Sequence, residues 1–142
     1  MKKDILKDIE KLVARQSLCC LASVDAQGFP EARAMLAPRV RDGIKTFYLS
    51  TNTSSAKVKA FRKNPKACLY FHDGRLFRGA MFKGTAEVCR DGKSRGLVWR
   101  DGDEIYYPKG VSDPDYAVLK FTAESVKYYS DFSAREAKLR DT

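Results

Sequence analysis

The sequence predicts a mainly β protein, an antiparallel barrel with a few helices packed outside it. The chain has 142 residues, 44% of them hydrophobic and 11% aromatic, which is enough for one domain with its own core. About seven short apolar segments, mostly joined by short turns, favour the antiparallel barrel. We expect residues 1–142 to form this single domain, with an N-terminal helix in residues 1–16 and a charged tail in residues 131–142.

The N-terminal elements follow from the spacing of apolar residues. Residues 4–15 are predicted to form a helix, because their apolar side chains fall on one stripe with lysines and acids opposite. Residues 18–24 and 29–36 are predicted to form two strands, because the polar residues 25–28 make a turn between them.

The next elements surround a polar segment. Residues 46–50 are predicted to form a third strand, entered through a turn at residues 42–43. Ser54 or Ser55 is expected to cap a helix, because a serine side chain accepts a hydrogen bond from a free N–H group of the first turn. Pro65 marks the end of that helix, since proline disfavours helical backbone in the residue before it.

A long strand follows a tight hairpin. Residues 67–71 are predicted to form the fourth strand and residues 76–88 the fifth, joined by a turn at Asp73 and Gly74. Two glycines in the long strand indicate a bend or the close approach of another group. They are Gly79 and Gly84.

The C-terminal third alternates helix, loop and strand. Residues 91–99 are predicted to form a short helix and residues 101–115 a polar loop. Two last strands are expected at residues 116–121 and 125–129. The tail from residue 131 is charged and is expected to be either helical or frayed.

Positive charge is concentrated in the middle of the chain. The formal net charge is +9, and the segment between Arg33 and Lys83 holds twelve basic and two acidic residues. Such a block favours an anionic partner, namely a nucleic acid, a membrane surface or a phosphorylated small molecule, or else it is a solvated face. No nucleic-acid-binding signature accompanies it, so a nucleic acid is the least favoured partner.

The sequence contains no membrane-span pattern. No stretch approaches the roughly 20 apolar residues that a spanning helix needs. Residues 1–17 mix acids with lysines and lack a continuous apolar segment, which argues against a signal or transit peptide. We expect a soluble, cytoplasmic protein without a membrane partner.

Cysteine and histidine chemistry is limited. The four cysteines form no C-x-x-C pair and His72 is the sole histidine, which disfavours a zinc site, and we expect no metal. Buried free thiols in a reducing compartment are predicted instead. Any redox chemistry would therefore need a bound organic cofactor to carry the electrons.

A candidate phosphate site lies between the third strand and the following helix, in Ser-Thr-Asn-Thr-Ser-Ser-Ala-Lys at residues 50–57. A helix start offers free N–H groups and a positive dipole end, and hydroxyls and Lys57 add donors and charge. The alternative is an ordinary capped helix with a surface lysine. Arg33 is a second candidate, because an arginine in mid-strand needs either solvent or a partner. Aromatic residues that would cover a ring, or simply pack, are Trp99, Tyr106, Tyr107, Tyr128 and Tyr129.

Three motifs occur in a recognisable order. They are Leu-Ala-Ser-Val-Asp-x-x-Gly-x-Pro-x-x-Arg-x-Met at 21–35, Phe-Tyr-Leu-Ser-Thr-Asn-x-x-Ser-x-Lys at 47–57 and Lys-Gly-Thr-Ala-Glu-Val at 83–88. In this order they resemble the pyridoxamine phosphate oxidase-like, FMN-binding split-barrel family. The residues that resemble its general stress protein branch more narrowly are Trp99, Tyr-Pro-Lys-Gly at 107–110 and Asp-Pro-Asp-Tyr at 113–116.

The resemblance implies an antiparallel split β-barrel of six to seven strands that forms a homodimer, with FMN in a groove at the dimer interface. Carried over by position, Arg33, Ala34 and Met35 would run along the isoalloxazine and ribityl region of FMN. Ser50 and Thr51 would line the ring and its tail.

The same resemblance implies a phosphate end and an aromatic contribution. Ser55 and Lys57 would hold the phosphate. Tyr129 would lie beside the flavin, and Trp99 would reach the site of the partner protomer.

Three positions depart from the true oxidase. Ala56 replaces a second basic residue before the phosphate lysine, Pro38 replaces a lysine that contacts substrate, and Gly79 replaces a polar flavin contact. The arginine motif that grips the vitamin phosphate is not recognisable in residues 130–142. The resemblance therefore implies a flavin-dependent oxidoreductase of unknown small-molecule substrate, with no catalytic residue assigned, rather than oxidation of pyridoxamine phosphate. The alternative on the same barrel is a non-catalytic or stress-related protein that binds haem or deazaflavin.

Overall fold

The computed structural model describes residues 2–139, which form one antiparallel sheet and three α-helices. The helices are α1 Lys2–Arg15, α2 Ala56–Lys63 and α3 Gly92–Val98. The eight strands are β1 Leu18–Val24, β2 Pro30–Leu36, β3 Val40–Asp42, β4 Thr46–Asn52, β5 Lys66–Asp73, β6 Arg78–Cys89, β7 Tyr116–Ser130 and β8 Ser133–Lys138.

The strands follow the order β2-β1-β5-β6-β7-β4-β3, and β8 pairs with β7 off this path. Every pair is antiparallel. The path has two free edges, β2 and β3, so the barrel is split between them. The predicted antiparallel split barrel is confirmed, with eight strands in the described part of the chain rather than six to seven.

Four phenylalanines from different strands fill the barrel. The ring centroid of Phe47 lies 5.7 Å from that of Phe71, 5.0 Å from that of Phe82 and 6.2 Å from that of Phe121. All four side chains are fully buried. Helix α1 covers the same core with the apolar stripe that its sequence predicts, because Ile9 and its stripe neighbours are buried there.

The C-terminal strands differ from the prediction. Residues 116–130 form one continuous strand, because the ladder between β6 and β7 runs past the gap expected after residue 121. The predicted tail is also wrong over its first part, where β8 pairs with β7 and Ala137 is buried. Residues 140–142 lie outside the described residues.

One additional strand and one shifted boundary also differ from the prediction, each for a local reason. Strand β3 has three residues and was not expected, since a segment this short carries little periodicity. The long strand β6 begins at Arg78 rather than at residue 76, because Phe77 ends the hairpin turn with a φ of 50°. This φ lies in the left-handed region that a strand cannot use.

The expected close approach at Gly84 is confirmed. The β6–β7 register shifts between Lys83 and Gly84, and a Cβ added at Gly84 would overlap the carbonyl oxygen of Thr122. Because this neighbour is backbone in the centre of the sheet, it cannot rotate away. Glycine is therefore required for the two longest strands to pair.

All four cysteines are free thiols. Cys19 is buried, and its burial raises the pKa of the thiol to about 12. The expectation of buried thiols is wrong for Cys20, Cys68 and Cys89, which are only half-buried. Within residues 2–139 no helix is long and apolar enough to cross a membrane.

The variant Gly84→Ala should lower the free energy of unfolding by about 1–3 kcal/mol, because the added methyl overlaps backbone. Urea denaturation measures the change. Gly96→Ala is the matched control, since this exposed glycine in α3 has no atom near the added Cβ. The control should be neutral or up to about 1 kcal/mol more stable, and an equal loss in both variants would contradict the backbone contact.

Candidate functional site

A groove of about 200 Å³ lies between β2 and β4, two strands that do not pair with each other. Its walls come from residues 34–37, 39, 48–52, 57 and 98. Five sequence-predicted site residues meet here, namely Ala34, Met35, Ser50, Thr51 and Lys57. No acidic residue lines the groove.

The floor of the groove is built by the second half of β4. Pairing with β7 turns alternate β4 side chains into the core, and Leu49 and Thr51 are both buried. The hydroxyl oxygen of Thr51 is buried without a hydrogen-bond partner. A buried hydroxyl without a partner costs free energy, so this atom marks a place for an added polar group.

A carboxylate at the start of β7 fixes the loop between β4 and α2. Asp115 accepts hydrogen bonds from the backbone N–H of Ser54 at 2.9 Å, from the Thr53 hydroxyl at 2.9 Å and from the Ser54 hydroxyl at 3.2 Å. The backbone N–H of Thr53 also donates to the carbonyl oxygen of Asp115 at 2.8 Å. The hydroxyls of Thr53 and Ser54, which belong to the predicted phosphate segment, therefore bond to Asp115 within the loop.

Helix α2 begins as predicted but is capped differently. Ser55 is the N-cap residue, yet its side chain makes no capping hydrogen bond. Its hydroxyl instead donates to the carbonyl oxygen of Asn52 at 2.8 Å. The first N–H groups of the helix consequently have no side-chain acceptor at the N-cap, which leaves them available to an anion.

Lys57 lines the groove, and Arg33 lies near Lys57 without being part of the lining. Burial, and then the nearby Arg33 guanidinium, lowers the pKa of Lys57. Within the described residues Lys57 makes no ion pair or hydrogen bond. Two like charges with no acid between them form a site that an anion would stabilise.

Arg33 itself is held by its own sheet. Its Nη1 donates to the Ser23 hydroxyl at 2.9 Å and to the carbonyl oxygen of Leu21 at 3.3 Å. Both acceptors are neutral, so the positive charge of Arg33 is positioned but not neutralised. The sequence left open whether Arg33 meets solvent or a partner, and the structure gives it two partners, Ser23 and Leu21.

A different arginine closes the far end of the groove. Arg39 donates to both carboxylate oxygens of Asp103, at 2.5 and 2.7 Å, and this pair ties the loop after α3 to the β2–β3 connection. The Arg39 guanidinium lowers the pKa of Asp103, and the carboxylate raises the pKa of Arg39. Arg39 therefore lines the groove with its charge already neutralised by Asp103.

Trp99 does not line the groove. Its ring packs against Tyr107 and Tyr116, with centroids 6.3 and 5.2 Å away, and only the preceding Val98 reaches the groove. The Tyr116 hydroxyl donates to the carbonyl oxygen of Arg95 at 2.9 Å, which anchors this aromatic cluster to α3.

Tyr129 also lies outside the groove. It pairs with Gly79 in the β6–β7 ladder and lines a separate hollow with Tyr70, His72 and Phe77. The structure thus separates Trp99 and Tyr129 from the five residues that meet in the groove.

Two residues of the site were missed by the sequence analysis. Asp115 and Arg39 act through partners about sixty residues away, at separations of 61 and 64 positions. Asp115 lies in the Asp-Pro-Asp-Tyr motif, which was noted only as a family resemblance. The position of this acid directly before a predicted strand was the one signal, and its partner was not readable from spacing.

The chain is similar to known proteins in sequence and in fold. A family model described as "Pyridoxamine 5'-phosphate oxidase" matches residues 5–130. A curated pyridoxine/pyridoxamine 5'-phosphate oxidase from Azorhizobium caulinodans is 37% identical over 90 residues, 63% of this chain and 42% of that protein. The chain therefore spans less than half the length of this relative.

Solved structures agree on the fold. A protein related to general stress protein 26, of the pyridoxinephosphate oxidase family, from Clostridium acetobutylicum is 39% identical with a TM-score of 0.89, and the match covers 99% of both chains. A heme binding protein from Mycobacterium smegmatis has a TM-score of 0.73 at 14% identity, covering 94% of this chain and 57% of that one. At that identity the likeness concerns the fold alone.

The variant Asp115→Asn should destabilise the protein at neutral pH and much less in acid. Hydrogen bonds from Ser54 hold the pKa of the Asp115 carboxyl below its ordinary value. The stabilisation is therefore present above the unfolded-state pKa of about 3.9 and is lost as the pH falls through the lower folded-state pKa.

Thermal melts of both proteins between pH 3 and pH 8 test this dependence. The two melting temperatures should converge at the acid end. Asp101→Asn is the control, because Asp101 is exposed and its side chain makes no hydrogen bond or ion pair within residues 2–139. A constant difference between Asp115→Asn and wild type at every pH would contradict the ionised-carboxylate role.

Proposed function

The chain belongs to the pyridoxamine 5'-phosphate oxidase family, and on that premise we propose that it binds FMN in the groove between β2 and β4. The observation that carries the proposal is that Thr51, whose hydroxyl has no partner, and the unpaired Lys57 line the same groove, with the positive charge of Arg33 close to Lys57. When bound, FMN supplies hydride or single-electron transfer. A phosphorylated small molecule is thus the anionic partner that the basic block best fits.

The phosphate of FMN would lie at the N-terminus of α2. Lys57 would supply a charge-assisted hydrogen bond, and the free N–H groups of the first turn would supply further donors. Arg33 adds positive potential from β2. Ser55 would contact the phosphate only if its hydroxyl left the carbonyl oxygen of Asn52, to which it now donates.

The ring and ribityl end would lie along the two strands. Ala34 and Met35 belong to the β2 wall, and Ser50 and Thr51 belong to the β4 wall, where the Thr51 hydroxyl is buried. This combination of an apolar wall and a few polar groups is typical of small-molecule sites. The residues present therefore fit a flavin, although Ala56 and Gly79 offer no side-chain donors.

A flavin-dependent oxidoreductase acting on a small-molecule substrate is the activity we propose. Pro38, which lies between the groove residues Ala37 and Arg39, offers no cation for a substrate phosphate. We therefore propose a substrate other than pyridoxamine phosphate.

We propose that the protein is a homodimer built on an apolar face of the sheet. Leu18 and Leu36 face each other across the β1–β2 ladder and are 56% and 57% exposed. Ala32, Ala34 and Cys20 continue the same face. An exposed apolar surface on an edge strand is a candidate for pairing with a second copy.

A dimer would also explain the two residues outside the groove. Neither Trp99 nor Tyr129 is part of the groove lining, so we propose that the partner supplies them. The site would then be complete only in the dimer, and the cofactor would tighten the association.

Visible spectra of the purified protein, with and without added cofactors, separate FMN from haem and deazaflavin. FMN peaks that survive desalting support the proposal. A Soret band without flavin uptake would favour haem, for which His72 is the sole histidine and lies outside the groove.

The variant Lys57→Ala should weaken FMN binding about 10- to 150-fold, because a charge-assisted hydrogen bond contributes about 1.5–3 kcal/mol. Thr51→Val should weaken it about 2- to 12-fold, the contribution of a neutral hydrogen bond. Thr51→Val should leave the stability of the ligand-free protein unchanged or raised, since it removes an unpartnered buried hydroxyl.

Flavin fluorescence titrations measure these affinities. Lys59→Ala is the matched control, because Lys59 is exposed on the same helix and does not line the groove. Equal affinities of wild type and Lys57→Ala would contradict the phosphate assignment.

The variant Leu18→Glu should shift the protein from dimer to monomer, because it places a charge in the proposed apolar interface without changing a residue of the groove. Analytical ultracentrifugation measures the shift. Leu97→Glu is the control, since Leu97 is similarly exposed but lies on α3. A wild-type protein that stays monomeric when saturated with FMN would refute the interface.

A further inference from the structure

Arg33 and Ser23 lie on the same face of the sheet, at its β2 edge. Arg33 pairs with Leu21 of β1, and directly paired residues of an antiparallel ladder point to the same face. Leu21 is fully buried, and Ser23, two positions further along β1, points to that face as well and is 1% exposed. The Arg33 side chain can therefore reach the Ser23 hydroxyl diagonally across the ladder.

One nitrogen of the Arg33 guanidinium is held in place. Nη1 donates to the Ser23 hydroxyl at 2.9 Å and to the carbonyl oxygen of Leu21 at 3.3 Å. The N–H groups of Nε and Nη2 make no hydrogen bond or ion pair within residues 2–139. These two nitrogens can form two parallel hydrogen bonds with the oxygens of one phosphate or carboxylate. The edge of the guanidinium that suits an anion is therefore free.

Ser23 is the one side chain in the described part of the chain that bonds to Arg33, since the other acceptor is a main-chain carbonyl. Glu31 pairs with Ser23 across the ladder, yet it is exposed and forms no ion pair with Arg33 within residues 2–139. Ser23 thus orders the guanidinium without neutralising it. A side chain that is already ordered loses less conformational entropy when it binds a ligand.

The start of α2 lies close to the Arg33 guanidinium. Helix α2 packs with Val58 and Phe61 buried. Lys57 directly precedes Val58, lines the groove and is near enough for the positive charge of Arg33 to lower its pKa. An anion bound by Lys57 would therefore lie close to Arg33 as well.

We propose that Ser23 is a positioning residue, whose hydroxyl fixes Nη1 of Arg33 so that Nε and Nη2 are presented to a phosphate at the start of α2. The inference rests on the proposed cofactor groove, and it assigns to the Ser23–Arg33 hydrogen bond the preference of that groove for a phosphorylated flavin. Ser23 is not part of the groove lining. It acts through Arg33, so its effect on binding should vanish when Arg33 is replaced.

The affinities of Ser23→Ala for FMN and for riboflavin, which lacks the phosphate, test this role. The variant should bind FMN about 2- to 12-fold more weakly than wild type, the contribution of one hydrogen bond, and should bind riboflavin equally well. Flavin fluorescence titrations measure both affinities. A purely structural role for Ser23 would weaken both flavins alike and would overturn the proposal.

Ser130→Ala is the matched control. Ser130 is also buried in a strand, and its hydroxyl accepts a hydrogen bond from Nη2 of Arg135 at 3.2 Å. It lies on β7 and does not line the groove. The ratio of FMN affinity to riboflavin affinity should be unchanged in this variant, and an equal fall of that ratio in both serine variants would contradict the role of Ser23.

A double-mutant cycle shows whether Ser23 acts through Arg33. Arg33→Met removes all the donors of the guanidinium and should weaken FMN binding about tenfold or more. Adding Ser23→Ala to Arg33→Met should then cause no further loss, because the two residues form one interacting pair. Additive losses in the double variant would refute the positioning role.

Inorganic phosphate separates the failure of this proposal from the failure of the cofactor groove. Phosphate should shift the amide NMR signals of residues 56–58, with an affinity about 2- to 12-fold lower in Ser23→Ala. A protein that shows this difference and takes up no flavin keeps the role of Ser23 and refutes the FMN groove. A protein that binds FMN and phosphate with the same affinities in wild type and Ser23→Ala refutes the role of Ser23 alone. A wild-type protein that binds neither overturns both proposals.

Discussion

The hydrogen bonds of Asp115 connect the sheet to the helix on which the candidate site depends. Strand β4 ends beside the start of β7, and Asp115 accepts from the backbone and hydroxyl of Ser54 and from the hydroxyl of Thr53. This carboxylate turns the chain sharply from β4 into α2. The turn brings Thr51 and Lys57 into one groove, and it aims the free N–H groups of the helix at the same place.

The cations around the groove differ in whether an acid pairs with them. Arg39 is neutralised by Asp103 through two hydrogen bonds and stabilises the far wall. Lys57 has no such partner, and its pKa is lowered by burial and by Arg33. Keeping two cations close without an acid destabilises the ligand-free fold, and groups perturbed in this way are concentrated at functional sites. The groove therefore fits a phosphate better than a neutral ligand.

Side chains alternate between the two faces of the sheet, and the two faces differ in what they contact. In β1, Cys19 and Leu21 point into the phenylalanine core, whereas Leu18 and Cys20 lie on the outer face. The outer face is apolar near β2 and becomes aromatic toward β5 and β6. One side of the same strands therefore stabilises the barrel, and the other carries the exposed apolar residues Leu18 and Leu36.

Local pattern determined much of this protein. The α1 stripe, strand β1 and the start of α2 were readable because periodicity and turn chemistry act over a few residues. Thr51 and Lys57 were found together for the same reason, since only five positions separate them from one another along residues 51–57.

Tertiary structure decided what depends on distant partners. Asp115 and Arg39 reach residues more than sixty positions away, β7 is one strand because β6 pairs along it, and Tyr129 is carried away from the groove by that same pairing. Such contacts are chosen by the packing of the whole sheet, which no local spacing encodes.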